Sequence, residues 1–136
     1  MKKFIIIAIG GFSGANLRLF FNNVNKHHYE IPLNTLFINI VGCFLFCFFM
    51  TLIINKQDHI SKFFPIILSG FLGAFTTFST LCKETVQLLL NENIFNGIYY
   101  LVLSIVLGFV FALSGTYLAK KVLLFWQKII IIREGL

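Results

Sequence analysis

The sequence predicts an all-α membrane protein with four transmembrane helices. Two observations carry this expectation. The chain is 58% hydrophobic and only 12% charged, whereas a soluble domain carries about 45–50% apolar and about 25% charged residues. The apolar residues also gather into four stretches, each as long as the roughly 20 residues needed to cross a hydrocarbon core of about 30 Å. At 136 residues the chain is expected to be one integral membrane domain, residues 1–136.

The spans fall at about 4–24, 33–54, 63–90 and 95–119. The polar linkers between them, 25–32, 55–62 and 91–93, are too short to hold a soluble domain. The first span begins after Lys2 and Lys3 like a signal peptide. However, Gly10, Gly11, Gly14, Asn16 and Arg18 extend it to full helix length and no small-residue cleavage site is evident, so it is expected to be retained. Gly10 and Gly14, Gly11 and Ala15, Gly70 and Ala74, and Gly108 and Ala112 repeat small residues at four-residue spacing, the pattern that lets membrane helices approach closely. Four helices enclose little space, so an oligomer is expected. Tyr99, Tyr100, Tyr117 and Trp126 suit interfacial positions. Cys43, Cys47 and Cys82 read as small buried apolar residues, since no metal-ligand spacing accompanies them. After Leu118, Lys120 and Lys121 end the fourth span, and the apolar run 125–132 is either a helix extension or a surface-lying segment.

The third span differs from the others. Gly70, Gly73, Thr76, Thr77, Ser79 and Thr80 crowd its middle, interleaved with Phe71, Phe75 and Phe78. Gly, Ser and Thr are weak helix formers, and the pattern predicts a helix broken near the membrane midplane. Freed backbone carbonyls at that depth survive only when buried in protein or lining a cavity. Polar groups inside a membrane are functional candidates: here Asn16, Arg18, Asn34, Asn39, Thr76, Thr77, Ser79, Thr80, Lys83, Glu84 and Ser104. They include no nucleophile–base pair and no carboxylate dyad, so an enzyme is not expected. Hydroxyls and one Asn beside Phe edges suit a small anion that must shed water, because amide and hydroxyl donors and the positive rims of aromatic rings can all face it.

These residues also carry a resemblance. Gly10-Gly11 through Gly14-Ala15 to Arg18, Pro32 through Thr35 and Asn39 to Gly42, and Gly70 through Gly73, Thr76-Thr77-Phe78-Ser79-Thr80 and Glu84 resemble three elements of the CrcB/Fluc fluoride channel family. Ser104 and Gly108 match its fourth helix loosely. The resemblance implies an antiparallel dimer with two fluoride pores, through which fluoride leaves the cytoplasm passively and its toxicity falls. It implies pore roles for Asn39, Phe78, Ser79, Thr80 and Ser104, and positions near a vestibule or pore end for Arg18 and Glu84. It implies a structural, untransported Na⁺ held by the Gly73 and Thr76 carbonyls. The chain departs from the family pattern at Leu81, where a second pore Phe is expected, and at Asn34, where the family has Gly. The alternative is a small proton-coupled multidrug-type exporter. That class needs a carboxylate in its first span, where this chain has Arg18 and no acid.

The net charge is +6. In a soluble protein this would point to nucleic acid. Here Lys2, Lys3, Lys56, Lys62, Lys120, Lys121, Lys128 and Arg133 fall on one expected side of the membrane and only Lys26 clearly on the other, with Arg18 and Lys83 inside spans. By the positive-inside rule both termini are expected in the cytoplasm. So strong a bias, together with Leu81, motivates the hypothesis that the chain pairs with a paralogous subunit of opposite orientation.

Overall fold

The computed structural model describes residues 1–24, 31–55, 63–91 and 93–134. Lys26, His27, His28, Lys56, Lys62 and Glu92 lie outside them. The described chain is helical almost throughout, as apolar spans must be: lipid offers no hydrogen bonds, and a helix satisfies its backbone internally. The helices are α1 (Lys2–Val24), α2 (Leu33–Asn55), α3 (Phe64–Phe75), α4 (Phe78–Leu90) and α5 (Ile94–Glu134). Four stretches are long and apolar enough to cross a membrane, with α3 and α4 together forming one of 27 residues.

Each boundary has a local cause. Pro65 stands in the first turn of α3, where its missing N–H costs nothing. At the other end Thr76 is extended (φ −76°, ψ 156°) and so is Thr77 (φ −149°, ψ 110°). Thr77 then caps α4, its side chain accepting the Thr80 N–H, the usual device for an orphaned first-turn donor. Between α4 and α5 the chain turns back within a few residues, with the Asn91 N–H bonded to Gln87 and the Gly97 N–H to Asn93.

The helices associate in two layers, α1 against α3, and α2 against α5, with α4 also on α5. The first contact is backbone to backbone. A Cβ at Gly10 would strike the Ile67 carbonyl, one at Gly14 the Phe71 carbonyl, and one at Gly70 the Ile7 carbonyl. Gly115 plays the same part between α5 and α2, where a Cβ would strike the Phe44 carbonyl. Gly10, Gly14 and Gly70 are among the small-residue pairs singled out from the sequence; Gly115 is not, although Ala119 stands four residues on. Gly108 is looser, with Cys43 Sγ 3.6 Å from where a Cβ would stand.

Two small cores join the layers. Ile38, Leu68, Leu72 and Phe75 form one, between α2 and α3, and the Phe75 ring packs edge-on to Phe21 and stacks on Phe71. Leu36, Leu81 and Tyr100 form the other, among α2, α4 and α5. Most remaining apolar side chains, including many of the 18 Phe, are exposed on the single chain, as lipid-facing residues are.

The structure sharpens two sequence expectations. Tyr100 is completely buried within the protein, unlike its half-exposed neighbour Tyr99. Of the two readings of the run 125–132, the helix extension holds: α5 continues unbroken past Leu118 to Glu134. Lysine ends a hydrophobic stretch without ending a helix, for it is a good helix former, and no Gly or Pro intervenes between Thr116 and Glu134.

Gly14→Leu is expected to push α1 off α3 and lower stability by about 1–3 kcal/mol, the usual cost of overpacking. Gly11→Ala should change it by less than about 0.5 kcal/mol, since the new Cβ meets only the Gly70 carbonyl at 3.8 Å. Thermal unfolding in detergent distinguishes the two.

Candidate functional site

The interruption between α3 and α4 is held by α2. Asn39 Oδ1 accepts the Thr77 N–H at 2.8 Å, and Asn39 Nδ2 donates to the Thr77 carbonyl at 3.1 Å. One amide therefore satisfies both backbone groups of an extended residue, as a neighbouring strand would. One helical turn further along α2, Gly42 leaves room for the Thr76 methyl, which a Cβ there would strike.

These bonds redirect the backbone on either side. In a continuous helix the Gly73 carbonyl would accept the Thr77 N–H and the Thr76 carbonyl the Thr80 N–H. The first donor goes to Asn39, and the second goes to Thr77 Oγ1 at 3.2 Å. The Gly73 and Thr76 carbonyls thus lose their helical donors together. Thr76 itself binds back to α3, its N–H and hydroxyl both reaching the Leu72 carbonyl, at 2.9 and 2.8 Å.

Thr77 is the hub of a short hydroxyl chain. Its Oγ1 donates to Thr80 Oγ1 at 2.9 Å and lies 3.3 Å from Ser79 Oγ. Thr77 is buried, Thr80 partly buried and Ser79 exposed, so the chain leads outward from the packed interior. As an acceptor in this pair, Thr80 keeps its own hydroxyl proton for a further partner.

An open cleft of about 400 Å³ runs past the interruption, with Asn39, Gly42, Cys43 and Cys47 of α2 on one side, Ser104 and Ile105 of α5 on another, and Gly73, Thr76, Thr77, Phe78 and Leu81 along the break. Phe78 stands at its rim, 75% exposed. The structure therefore gathers Asn39, Gly73, Thr76, Phe78 and Ser104 at one cleft, with Ser79 and Thr80 attached through Thr77. Ser104 donates its hydroxyl to the Tyr100 carbonyl at 2.7 Å, so in this rotamer it offers the cleft lone pairs rather than a proton. Leu81 lines the cleft and also packs in the second core, only 6% exposed.

Glu84 and Arg18 lie apart from the cleft. Glu84 accepts the Thr35 hydroxyl at 2.8 Å and the Tyr100 hydroxyl at 2.7 Å, which ties α2, α4 and α5 together at a carboxylate. Arg18 sits half-buried on α1 and is not among the cleft residues. The cysteines are free thiols. Cys43 and Cys47 are half-buried at the cleft, while Cys82 is exposed, which corrects the expectation that all three are buried. Among the described residues no group of three or more His, Cys, Asp or Glu side chains is placed to hold a metal.

Sequence reasoning missed the central role of Thr77 and the partnership of Thr35 and Tyr100 with Glu84. A signal for Tyr100 was present: it precedes Ser104 by one turn on the same helix face.

Fold and cleft together define a multi-pass helical membrane protein with a span interrupted beside a small, largely apolar cleft that carries a few polar groups. The chain belongs to the CrcB family: the family model for the CrcB-like protein, Camphor Resistance (CrcB), matches residues 5–116. Curated relatives agree with this assignment. The chain is 39% identical over 121 residues to the fluoride-specific ion channel FluC of Thermosipho melanesiensis, covering 87% of this chain and 96% of the relative. It is 34% identical over 122 residues to FluC of Dehalococcoides mccartyi, covering 88% and 94%. It is 39% identical over 117 residues to FluC 2 of Carboxydothermus hydrogenoformans, covering 86% and 87%.

Asn39→Ala removes both partners of Thr77 and is expected to cost about 2 kcal/mol or more. Thr77→Val removes the cap but leaves the Asn39 clamp, and should cost about 1 kcal/mol. Denaturation in a common detergent would order the two, and a larger loss from Thr77→Val would contradict the primacy of the clamp.

Proposed function

We propose that this chain is a subunit of a fluoride-specific channel that lets fluoride leave the cytoplasm passively. The observation that carries the proposal is the cleft at the Asn39–Thr77 clamp, found in a chain whose relatives are named fluoride-specific ion channels. Fluoride is small and strongly hydrated, and it must exchange water for hydrogen-bond donors and positive ring edges. The cleft offers both. Asn39 has a second amide N–H beyond the one given to Thr77, Thr80 has an uncommitted proton, and the exposed Phe78 ring can turn its rim to an anion. Ser79 continues the hydroxyl line, and Ser104 joins it if its hydroxyl swings off the Tyr100 carbonyl. Arg18 draws anions toward a vestibule and Glu84 lies toward a pore end. Acid outside delivers neutral HF, which crosses the bilayer and ionises inside, so a passive conductor suffices for export.

The cleft is open along one side, and a second copy of the fold inserted in the opposite orientation would close it. The proposed assembly is an antiparallel dimer with the α3–α4 break near the membrane midplane. The residues at the break fit a hard cation: the Gly73 and Thr76 carbonyls have lost their helical donors, Gly73 is exposed, and a Cβ there would meet nothing within 4 Å. Held between two such breaks, a structural Na⁺ would supply charge that binds the subunits without being transported. The lysine bias favours both termini in the cytoplasm. With Leu81 at the cleft, it favours a paralogous partner of opposite orientation. Relatives numbered FluC 1 and FluC 2 are consistent with genomes that carry two such chains.

Vesicles loaded with fluoride and chloride, and monitored with ion-selective electrodes, test this reading. Fluoride efflux without chloride efflux is expected, and Phe78→Ala should slow it by about tenfold, the worth of one aromatic-edge contact. Chloride passing alongside fluoride would overturn the assignment, and full-rate efflux from this chain alone would overturn the paralogous partner. Replacing Na⁺ with a bulky organic cation should weaken subunit pairing, seen as loss of the dimer on size exclusion. Unchanged pairing would remove the structural Na⁺ from the proposal.

A further inference from the structure

Two thiols of α2 have no part in the clamp or the hydroxyl chain. Cys43 and Cys47 stand one and two turns beyond Asn39, and both line the cleft as free, half-buried side chains. Their four-residue spacing puts them on one helix face, with Cβ atoms about 5–6 Å apart. Where α5 passes this pair it presents small residues. Cys43 Sγ lies 3.6 Å from where a Cβ at Gly108 would stand, and Ala112, one turn further along α5, lines the same cleft. The space beside the sulfurs is therefore bounded on that side by small groups.

The chemistry of the pair narrows what it can hold. A structural zinc ion takes a tetrahedral set of side-chain ligands, and a hard cation takes a shell of oxygens. No His, Asp or Glu lines the cleft, and among the described residues none joins the pair as a third ligand. Two sulfurs alone suit a soft cation that takes two ligands in a line. Two metal–sulfur bonds of about 2.3 Å, the length known for zinc, laid end to end span about 4.7 Å. Rotation about χ1 of the two cysteines brings sulfurs on Cβ atoms about 5–6 Å apart to that separation. Charge narrows the choice further. The cleft is largely apolar, and an uncompensated charge in such surroundings is costly. A dication held by two thiolates is neutral as a whole.

We propose that Cys43 and Cys47 form a chelating site for one thiophilic dication of linear coordination, the class to which Hg(II) belongs. Each S–H gives its proton to water as its sulfur–metal bond forms, so one dication binds, two protons leave and nothing is oxidised or reduced. The site is separate from the Gly73 and Thr76 carbonyls, which are oxygens of the break and suit a hard ion.

The probe is Hg(II) added to the full-length Cys82→Ala chain in detergent, so that the exposed Cys82 takes no part. Glutathione at about 0.1 mM competes for the metal, below the millimolar effective concentration that tethering gives the second thiol. One mercury per chain is expected to survive this competition. It should add the mass of one mercury less two hydrogens and close both thiols to maleimide. In the same background Cys43→Ala and Cys47→Ala should each lose the metal to glutathione. Two mercuries per chain, or one that leaves a thiol reactive, would overturn the chelate. So would retention by either single variant, or a mass of two chains joined by one mercury, which would mark thiols of separate copies as the ligands. The stoichiometry is read on the chain with both thiols intact, so it decides the matter even where a single variant fails to fold.

Discussion

A side-chain amide on α2 holds open the interruption on which the rest of the structure depends. Lipid supplies no hydrogen bonds, so two extended residues inside an apolar span must find partners within the protein. Asn39 meets Thr77 at both its N–H and its carbonyl, and Gly42 admits the Thr76 side chain one turn away. Without these contacts, residues 64–90 would gain by closing into one continuous helix. With them, α4 starts afresh at the Thr77 cap, and the cleft opens at the junction. The same diversion frees the Gly73 and Thr76 carbonyls, so one constraint produces both the candidate anion path and the candidate cation position.

The clamp works only because the helices around it are placed by other means. Glycines set the α1–α3 and α2–α5 distances where backbone meets backbone. Between them, Phe75 and Leu81 anchor the two ends of the interruption in separate cores. The Glu84 carboxylate adds a polar tie, with Thr35 from one helix and Tyr100 from another donating to it. Hydrogen bonds between membrane helices are individually modest, at about 0.6–2 kcal/mol, but two donors on one carboxylate orient three helices at once. Rigid support on one side of the cleft contrasts with its open side, where Phe78 stands exposed.

Much of this was legible in the residues. Span positions follow from apolar runs, and the close α1–α3 approach follows from Gly10, Gly14 and Gly70. The Thr/Ser-rich run located the site because those residues compete with the helical backbone for hydrogen bonds. Other features left only a faint local trace. Tyr100 resembles any tyrosine near a helix end, and only the position of Glu84 across from it makes it a buried donor. Gly115 has Ala119 four residues on, so its close contact fits the small-residue spacing although the pair was not among those singled out. Lys120 and Lys121 mark where hydrophobicity ends, but charge alone does not say whether the helix ends with it.

By itself, then, the sequence determined the class of protein, the number of spans and the segment that breaks to form the candidate site, because hydrophobicity and helix propensity act along the chain. Tertiary structure alone decided that Asn39 closes on Thr77, that Leu81 faces a core as well as the cleft, and that Glu84 binds Thr35 and Tyr100. These depend on which residues of separate helices reach the same depth and face one another. Spacing within one helix carries no record of that register until glycine contacts and packed cores set it.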